Sequence, residues 1–288
     1  MKLAQEPSAV VRTPSGVGIA AHSSGPGDGP PVVALHGVMQ TWDSVLSDKA
    51  LVKAGYRVIA YDARGHGSSE GAGADSEYGY DRLVEDLVAV MDAFDASPAL
   101  LVGVSMGALT AMRLAVEQPE RVAGLVAVTP AYDPAKDLGC MTHAERVADA
   151  LRARDVSALV DSEPVRIADP EGHEAMRGFA RKTAERTVEA HLDADAAADA
   201  MLAILRARPF EDFEPLAAIE APTVVVGSRD MFDLNHPLHI ARAYADAIPG
   251  SRFVCEEEGS LPIAWRGREV AKIALEMARS VLTPPRRG

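Results

Sequence analysis

The segment at residues 103–107 constrains the fold of this chain more than any other. It reads Gly-Val-Ser-Met-Gly, follows an apolar run at 99–104 and precedes a helix-favouring stretch at 108–117. The two glycines flanking Ser105 let the backbone approach its neighbours closely enough for a sharp strand-to-helix turn. We therefore predict that Ser105 stands at the end of a buried strand, with the free N–H groups of the following helix directed toward it.

Apolar runs and helical patterns alternate around this segment. Short apolar runs at 31–35, 56–61 and 122–128 are typical of strands buried on both faces. A helical pattern at 80–94 lies between two of the predicted strands. This alternation predicts a mostly parallel sheet with right-handed crossovers. Two further short runs, within residues 10–21, flank a Pro-Ser-Gly turn and predict a hairpin.

The pattern changes between residues 134 and 213. This stretch has no strand signal, and its helical periodicity, broken by prolines, predicts three or four helices. Strand and helix patterns resume at 223–227 and continue to about residue 281. We predict one α/β core made of residues 1–133 and 214–288, flanked by helices, with a helical lid inserted at 134–213.

Four motifs give the chain a specific resemblance. They occupy residues 35–38 (Leu-His-Gly-Val), 61–68 (Tyr-Asp-Ala-Arg-Gly-His-Gly-Ser), 103–107 and 226–230 (Val-Gly-Ser-Arg-Asp). The sequence resembles the α/β-hydrolase superfamily, in the lidded branch of small bacterial esterases, lactonases and cofactor-free haloperoxidase-like enzymes. The resemblance implies an α/β-hydrolase fold in which Ser105 is the nucleophile on its elbow.

The same resemblance assigns a second set of site residues. The backbone N–H groups of Val38 and Met106 would form an oxyanion hole, and such donors stabilise a transition state by roughly 3–4 kcal/mol each. His36, Gly37 and Met39 would lie beside the substrate, although the His36 ring itself is expected to be structural. The implied substrate is a small or medium apolar carbonyl compound, such as an ester or lactone.

The positions of the acid and the base follow the family pattern less closely than the other motifs do. In this family the chain order is serine, then acid, then histidine. Asp230 follows a strand at the expected spacing, and Asp233 is a competing carboxylate three residues later. The histidine should lie in a Gly-His-x-Pro segment, but the matching position holds Ser260, and no histidine follows His239. A serine hydroxyl is a poor nucleophile without a base, so acyl-enzyme hydrolysis is in question.

Four explanations of this vacancy stay open. A base could come from elsewhere: His143 or His173 in the lid, His236 or His239 after the acid, or Glu258. The enzyme could instead run an elimination, isomerisation or cyclisation with the oxyanion hole and a carboxylate. The protein could bind a ligand without turning it over. Finally, the serine could be an introduced substitution. A partner subunit that supplies the base is a further hypothesis.

Composition limits the partners. The formal net charge is −13, which argues against nucleic acid because phosphate binding needs Lys and Arg. No apolar run approaches the roughly 20 residues of a membrane helix, and the first ten residues do not resemble a signal peptide. No metal-ligand or dinucleotide spacing occurs. We expect a cytoplasmic protein with a small-molecule substrate, no metal and no cofactor, and a homodimer is compatible with the sequence.

Overall fold

An eight-stranded sheet forms the centre of the molecule. We describe a computed structural model over residues 6–74, 77–135, 141–162, 170–230, 233 and 235–283, without the side chains of 170–176 and 179. The strands are β1 (Ala9–Arg12), β2 (Gly18–Ser24), β3 (Pro31–Leu35), β4 (Arg57–Tyr61), β5 (Ala99–Val104), β6 (Val122–Val128), β7 (Thr223–Val226) and β8 (Arg252–Val254). Their spatial order is β1-β2-β4-β3-β5-β6-β7-β8. Strand β2 pairs antiparallel with β1 and β4, and every other pair is parallel, which confirms the predicted mostly parallel sheet.

Helices cover both faces of this sheet. They are α1 (Lys49–Lys53), α2 (Tyr80–Ala93), α3 (Met106–Glu117), α4 (Thr142–Arg152), α5 (Val156–Ser162), α6 (Pro170–Ala190), α7 (Ala194–Arg206), α8 (Leu238–Ala247) and α9 (Gly267–Val281). None of the helices among the described residues is both long and apolar enough to cross a membrane.

Neighbouring residues of one strand belong to different core layers. Val33 of β3 packs in the cluster that contains side chains of α2, α3 and α8. Val32, the residue before it, packs in the cluster that contains side chains of α1 and α9. Successive strand side chains point to opposite faces, so a strand covered by helices on both sides must be apolar at every position. This is why β5 reads as an unbroken apolar run, with all six residues buried.

The helices between β6 and β7 form their own apolar cluster. Buried residues of α4 and α7, including Leu151 and Met201, pack together, and Val38 and Met39 of the loop after β3 pack against them. The structure has four helices here within the described residues, in agreement with the predicted helical content. This helical segment, Thr142 to Arg206, therefore contacts a loop at the carboxyl edge of the sheet.

Candidate active site

Ser105 occupies a strained turn between β5 and α3. Its φ and ψ are 49° and −112°, a conformation that costs a residue with a Cβ about 1–3 kcal/mol. A Cβ added to Gly103 would overlap the Gly107 backbone, and one added to Gly107 would overlap the backbone of Leu35 in β3. The two glycines therefore allow β3, β5 and α3 to meet beneath the serine. The predicted strand-to-helix position of Ser105 and its strained backbone are both confirmed.

A histidine and a carboxylate complete a hydrogen-bonded chain with this serine. His236 Nε2 lies 2.9 Å from Ser105 Oγ. His236 Nδ1 lies 2.9 and 2.8 Å from the two carboxylate oxygens of Asp233. Because a carboxylate only accepts, Nδ1 carries the proton and donates to Asp233, and Nε2 is left to accept the Ser105 hydroxyl proton. Both side chains are more than four-fifths buried, at 18% and 17% exposure.

These three residues come from two loops at the same edge of the sheet. Asp233 and His236 lie between β7 and α8, three positions apart, and Ser105 follows β5. The carboxyl ends of parallel strands meet at one edge, which is where α/β folds bind ligands. The N–H of Asp233 donates to the carbonyl of Asp230 at 3.3 Å, which ties the backbone of Asp233 to the segment that follows β7.

The loop after β3 lies against the other side of Ser105. A Cβ added to Gly37 would lie 3.4 Å from Ser105 Cβ, so this residue is in direct contact range. The Gly37 N–H donates to Gln40 Oε1 at 3.1 Å, and Met39 has a φ of 62°. Within the described part of the chain, the N–H groups of Val38 and Met106 donate to no protein acceptor. Their service as an oxyanion hole remains a prediction that this geometry allows.

Comparison with known proteins places the chain in a family. The family model for the alpha/beta hydrolase fold matches residues 30–153. A protein of Variovorax paradoxus, named as the carbamate hydrolase RutD, is 33% identical over 234 residues, which are 78% of this chain and 82% of that protein. This chain belongs to the α/β-hydrolase family. The α/β-hydrolase is also 28% identical over 285 residues to a Mycobacterium tuberculosis protein named as the non-heme bromoperoxidase BpoC, covering 92% of this chain and 99% of that one.

Solved structures agree on the fold of the hydrolase. The enol-lactonase from Burkholderia xenovorans superposes with a TM-score of 0.69 at 22% identity, covering 95% of this chain and 98% of that structure. The likeness extends over the helical segment as well as the sheet, since almost the whole chain is covered.

Two predicted site residues of the hydrolase lie elsewhere than expected. Ser260 is exposed in a turn after β8, where its N–H donates to the Glu257 carbonyl at 3.0 Å. Among the described residues, no hydrogen bond joins its side chain to Ser105. The carboxylate bonded to His236 is that of Asp233. The predicted acid, Asp230, is therefore corrected to the competing carboxylate three residues later. Of the explanations left open for the missing histidine at residue 260, this arrangement favours a base from elsewhere in the chain, His236 of the loop after β7.

Three of the other bases that the sequence left open make no hydrogen bond to Ser105 within the described part of the chain. The side chains of His143, His239 and Glu258 are exposed, and that of His173 lies outside the described residues. The Asp-x-x-His spacing was the signal for His236, since it places an acid and an imidazole one turn apart. Within the residues described, no group of three or more His, Cys, Asp or Glu side chains is placed to hold a metal ion.

His36 holds the hydrolase's loop after β3 in place. Its Nδ1 lies 2.7 Å from the Gly37 carbonyl, and its Nε2 accepts the Ala63 N–H at 2.9 Å. The Nε2 contact requires the proton on Nδ1, which therefore donates to Gly37. The ring is 2% exposed, and burial lowers its pKa to about 4. Both nitrogens are used within the protein, which agrees with the structural role expected for the His36 ring: the ring positions Gly37.

Two more buried histidines connect this loop to the helical segment. The His66 ring lies 5.1 Å from that of His36 and 5.6 Å from that of His191, between centroids. His191 follows α6, and the next N–H, of Leu192, donates to the Gly67 carbonyl at 3.0 Å. Burial is the largest cause that lowers the pKa of His66 and of His191. These neutral rings pack the junction of α6 and α7 against the loops beside Ser105.

Proposed function

We propose that this protein is a serine hydrolase of esters, lactones or related carbonyl compounds, in which Ser105 is the nucleophile, His236 the base and Asp233 the acid. One observation carries the proposal: the imidazole of His236 lies 2.9 Å from the Ser105 hydroxyl and is bonded through its other nitrogen to Asp233. A weak nucleophile beside a base that a third group orients is the signature of covalent catalysis.

The proposed reaction has two halves. Ser105 Oγ attacks the carbonyl carbon while His236 Nε2 takes the hydroxyl proton, and Asp233 stabilises the imidazolium that forms. The imidazolium then gives this proton to the leaving group, which departs and leaves an acyl-Ser105. In the second half His236 takes a proton from water, the hydroxide attacks the acyl carbon, and the proton returns to Ser105 as the product acid leaves.

The negative oxygen of each tetrahedral intermediate needs donors. Val38 follows Gly37, which is in contact range of Ser105, and Met106 begins α3 directly after the serine. Their N–H groups have no protein acceptor among the described residues, which leaves them available as the oxyanion hole. The bonds of His36 to Gly37 and Ala63 would keep the Val38 donor preorganised, so it costs no reorganisation during the reaction.

The substrate class follows from the surroundings of the serine and from the relatives. The apolar cluster of α4 and α7 packs against Val38 and Met39, so we assign residues 134–213 as a lid over the site that favours apolar acyl groups. Two of the similar proteins are named for carbamate and enol-lactone substrates, which share an acyl carbon bonded to oxygen or nitrogen. The non-hydrolytic and binding-only alternatives depended on a missing base, and the position of His236 favours hydrolysis over both.

Labelling with a fluorophosphonate probe tests this proposal, because the probe reacts only with an activated serine. We expect fast labelling of the natural protein and none of Ser105→Ala. His236→Ala should label about 10⁴-fold more slowly or worse, since loss of the histidine removes the base. His239→Ala is the matched control, three positions along and exposed, and should label normally. A folded natural protein that does not label, or a His236→Ala variant that labels normally, would contradict the proposal.

A further inference from the structure

Among the described residues, His236 contacts the aromatic side chain of Trp265 besides its hydrogen-bond partners. The ring of Trp265 lies 5.2 Å from that of His236 between centroids, at an interplanar angle of 66°. Aromatic rings at this separation and tilt attract each other through their quadrupoles. Trp265 is 37% exposed, so part of the indole faces water while part packs on the imidazole.

Trp265 belongs to the loop after β8, and a buried carboxylate ties this loop to the one that carries His236. Glu256 is 5% exposed. Its Oε1 accepts the Arg229 N–H and the Ser228 hydroxyl, and its Oε2 accepts the Ile263 N–H at 3.1 Å. The first two donors follow β7 and the third lies two residues before Trp265. One carboxylate thus fixes the separation of the two loops.

Hydrogen bonds alone leave the imidazole incompletely fixed. The bond from Nδ1 to Asp233 holds one edge of the ring, but the ring can still swing about that edge and carry Nε2 away from Ser105. A packed neighbour on the ring restricts this motion. Misplacement of a reacting group by about 1 Å can cost about 100-fold in rate.

We propose that Trp265 is a positioning residue for His236, and that Glu256 holds the indole where it can act. This inference rests on the proposed function, because it gives His236 the role of base. The loop after β8, which has no base at Ser260, contributes through Trp265 instead. The indole packs on the imidazole and keeps Nε2 directed at Ser105 Oγ.

Two substitutions of Trp265 test this role against a control on the same loop. Trp265→Leu keeps an apolar side chain without a ring, and Trp265→Phe restores a ring. Leu261→Ala is the control, since Leu261 is 71% exposed on the same loop. We expect Trp265→Leu to label with the fluorophosphonate about 10- to 100-fold more slowly. Trp265→Phe should recover most of the rate, and Leu261→Ala should keep it.

Steady-state kinetics separate positioning from substrate contact. With a short activated ester, Trp265→Leu should lower kcat and leave KM within about twofold, because a positioning residue acts on the reacting groups. The thermal midpoint should stay close to that of the natural protein, since the indole is partly exposed. Unchanged labelling of Trp265→Leu, an equal loss in Leu261→Ala, or a loss confined to KM would overturn the inference. These outcomes are distinct from failure of the proposed function, in which His236→Ala itself labels normally.

Discussion

The histidines around the site of Ser105 have two opposite kinds of environment. On one side, His36 and His66 are buried, with lowered pKa values, and both bond to backbone carbonyls. On the other side, His236 keeps 18% of its side chain exposed and bonds to a carboxylate and a hydroxyl. The residue type is the same, so the partners and the access of water decide the role.

The comparison explains why only one of these rings suits proton transfer. A buried imidazole without a carboxylate cannot take a proton without a large desolvation cost, so it acts as a rigid neutral spacer. An imidazole between a carboxylate and a hydroxyl can become charged as the serine attacks, because the carboxylate stabilises the charge. The buried histidines would set the position of the oxyanion donors, and His236 would move the proton.

The largest expected effect comes from removing His236, whether or not a histidine is introduced at residue 260, the position that the family motif indicates. His236→Ala should lower kcat/KM for an activated ester by about 10⁴-fold or more. The double variant His236→Ala with Ser260→His should stay as inactive, because residue 260 is exposed in a separate turn. Ser260→His alone should keep kcat/KM within about twofold, as a surface change. Recovery of the double variant to within tenfold of the natural protein would show that the loop after β8 reaches Ser105.

The second effect separates the two candidate acids. Asp233→Asn should lower kcat by about 10³- to 10⁴-fold, because an amide cannot stabilise the imidazolium or fix its tautomer. Asp230→Asn keeps the backbone carbonyl that accepts the Asp233 N–H, so kcat should change by less than about tenfold. Measured kcat values for the two variants at neutral pH check this order, and the reverse order would return the acid to residue 230.

The third effect concerns the buried histidines and appears in the free energy of unfolding. The pKa of His36 is about 4 in the folded protein, below its ordinary value of 6.5. Between these values the unfolded chain binds the proton and the folded one does not, so stability is full above pH 6.5 and falls as pH drops toward 4. This one ring should cost about 3 kcal/mol of unfolding free energy over that window. Urea unfolding at pH 7 and pH 4.5 measures the loss.

Three other buried groups modify this pH dependence. His66 and His191 have lowered pKa values and add to the loss on acidification. Burial raises the pKa of Asp62, so the folded state takes up that proton first as pH falls, which opposes the loss. His191→Gln should therefore flatten the dependence without removing it. If His191→Gln loses as much unfolding free energy between pH 7 and pH 4.5 as the natural protein does, the contribution assigned to His191 is refuted.

The sequence was sufficient for the fold because its signals are local. The continuous apolar runs of β3 and β5 require cover on both faces, and the glycines around Ser105 fit only a close-packed turn. Helix α1, with five residues, escaped prediction because so short a segment shows no clear period. Strand positions thus followed from continuous apolar runs and helix positions from periodicity, which short helices lack.

The site was harder to predict because the loops that carry it show no regular spacing of apolar residues. The family motif locates the histidine by its distance from β8, but the path of the chain depends on contacts that sequence spacing does not report. Glu256 accepts hydrogen bonds from both loops, and nothing in its neighbours along the chain indicates this. His236 was one of several open candidates because its approach to Ser105 depends on where the loop after β7 turns.

The closeness of Asp233 and His236 in the chain has a consequence for how such an enzyme can change. In the serine–acid–histidine order with separate loops, two distant segments must be maintained together for proton transfer to work. In the proposed mechanism the acid and the base lie within four consecutive residues, so one loop carries both groups. One short deletion would remove both groups at once, and residue 260 in the loop after β8 is released from carrying a base, while Trp265 of the same loop keeps its proposed contact with His236.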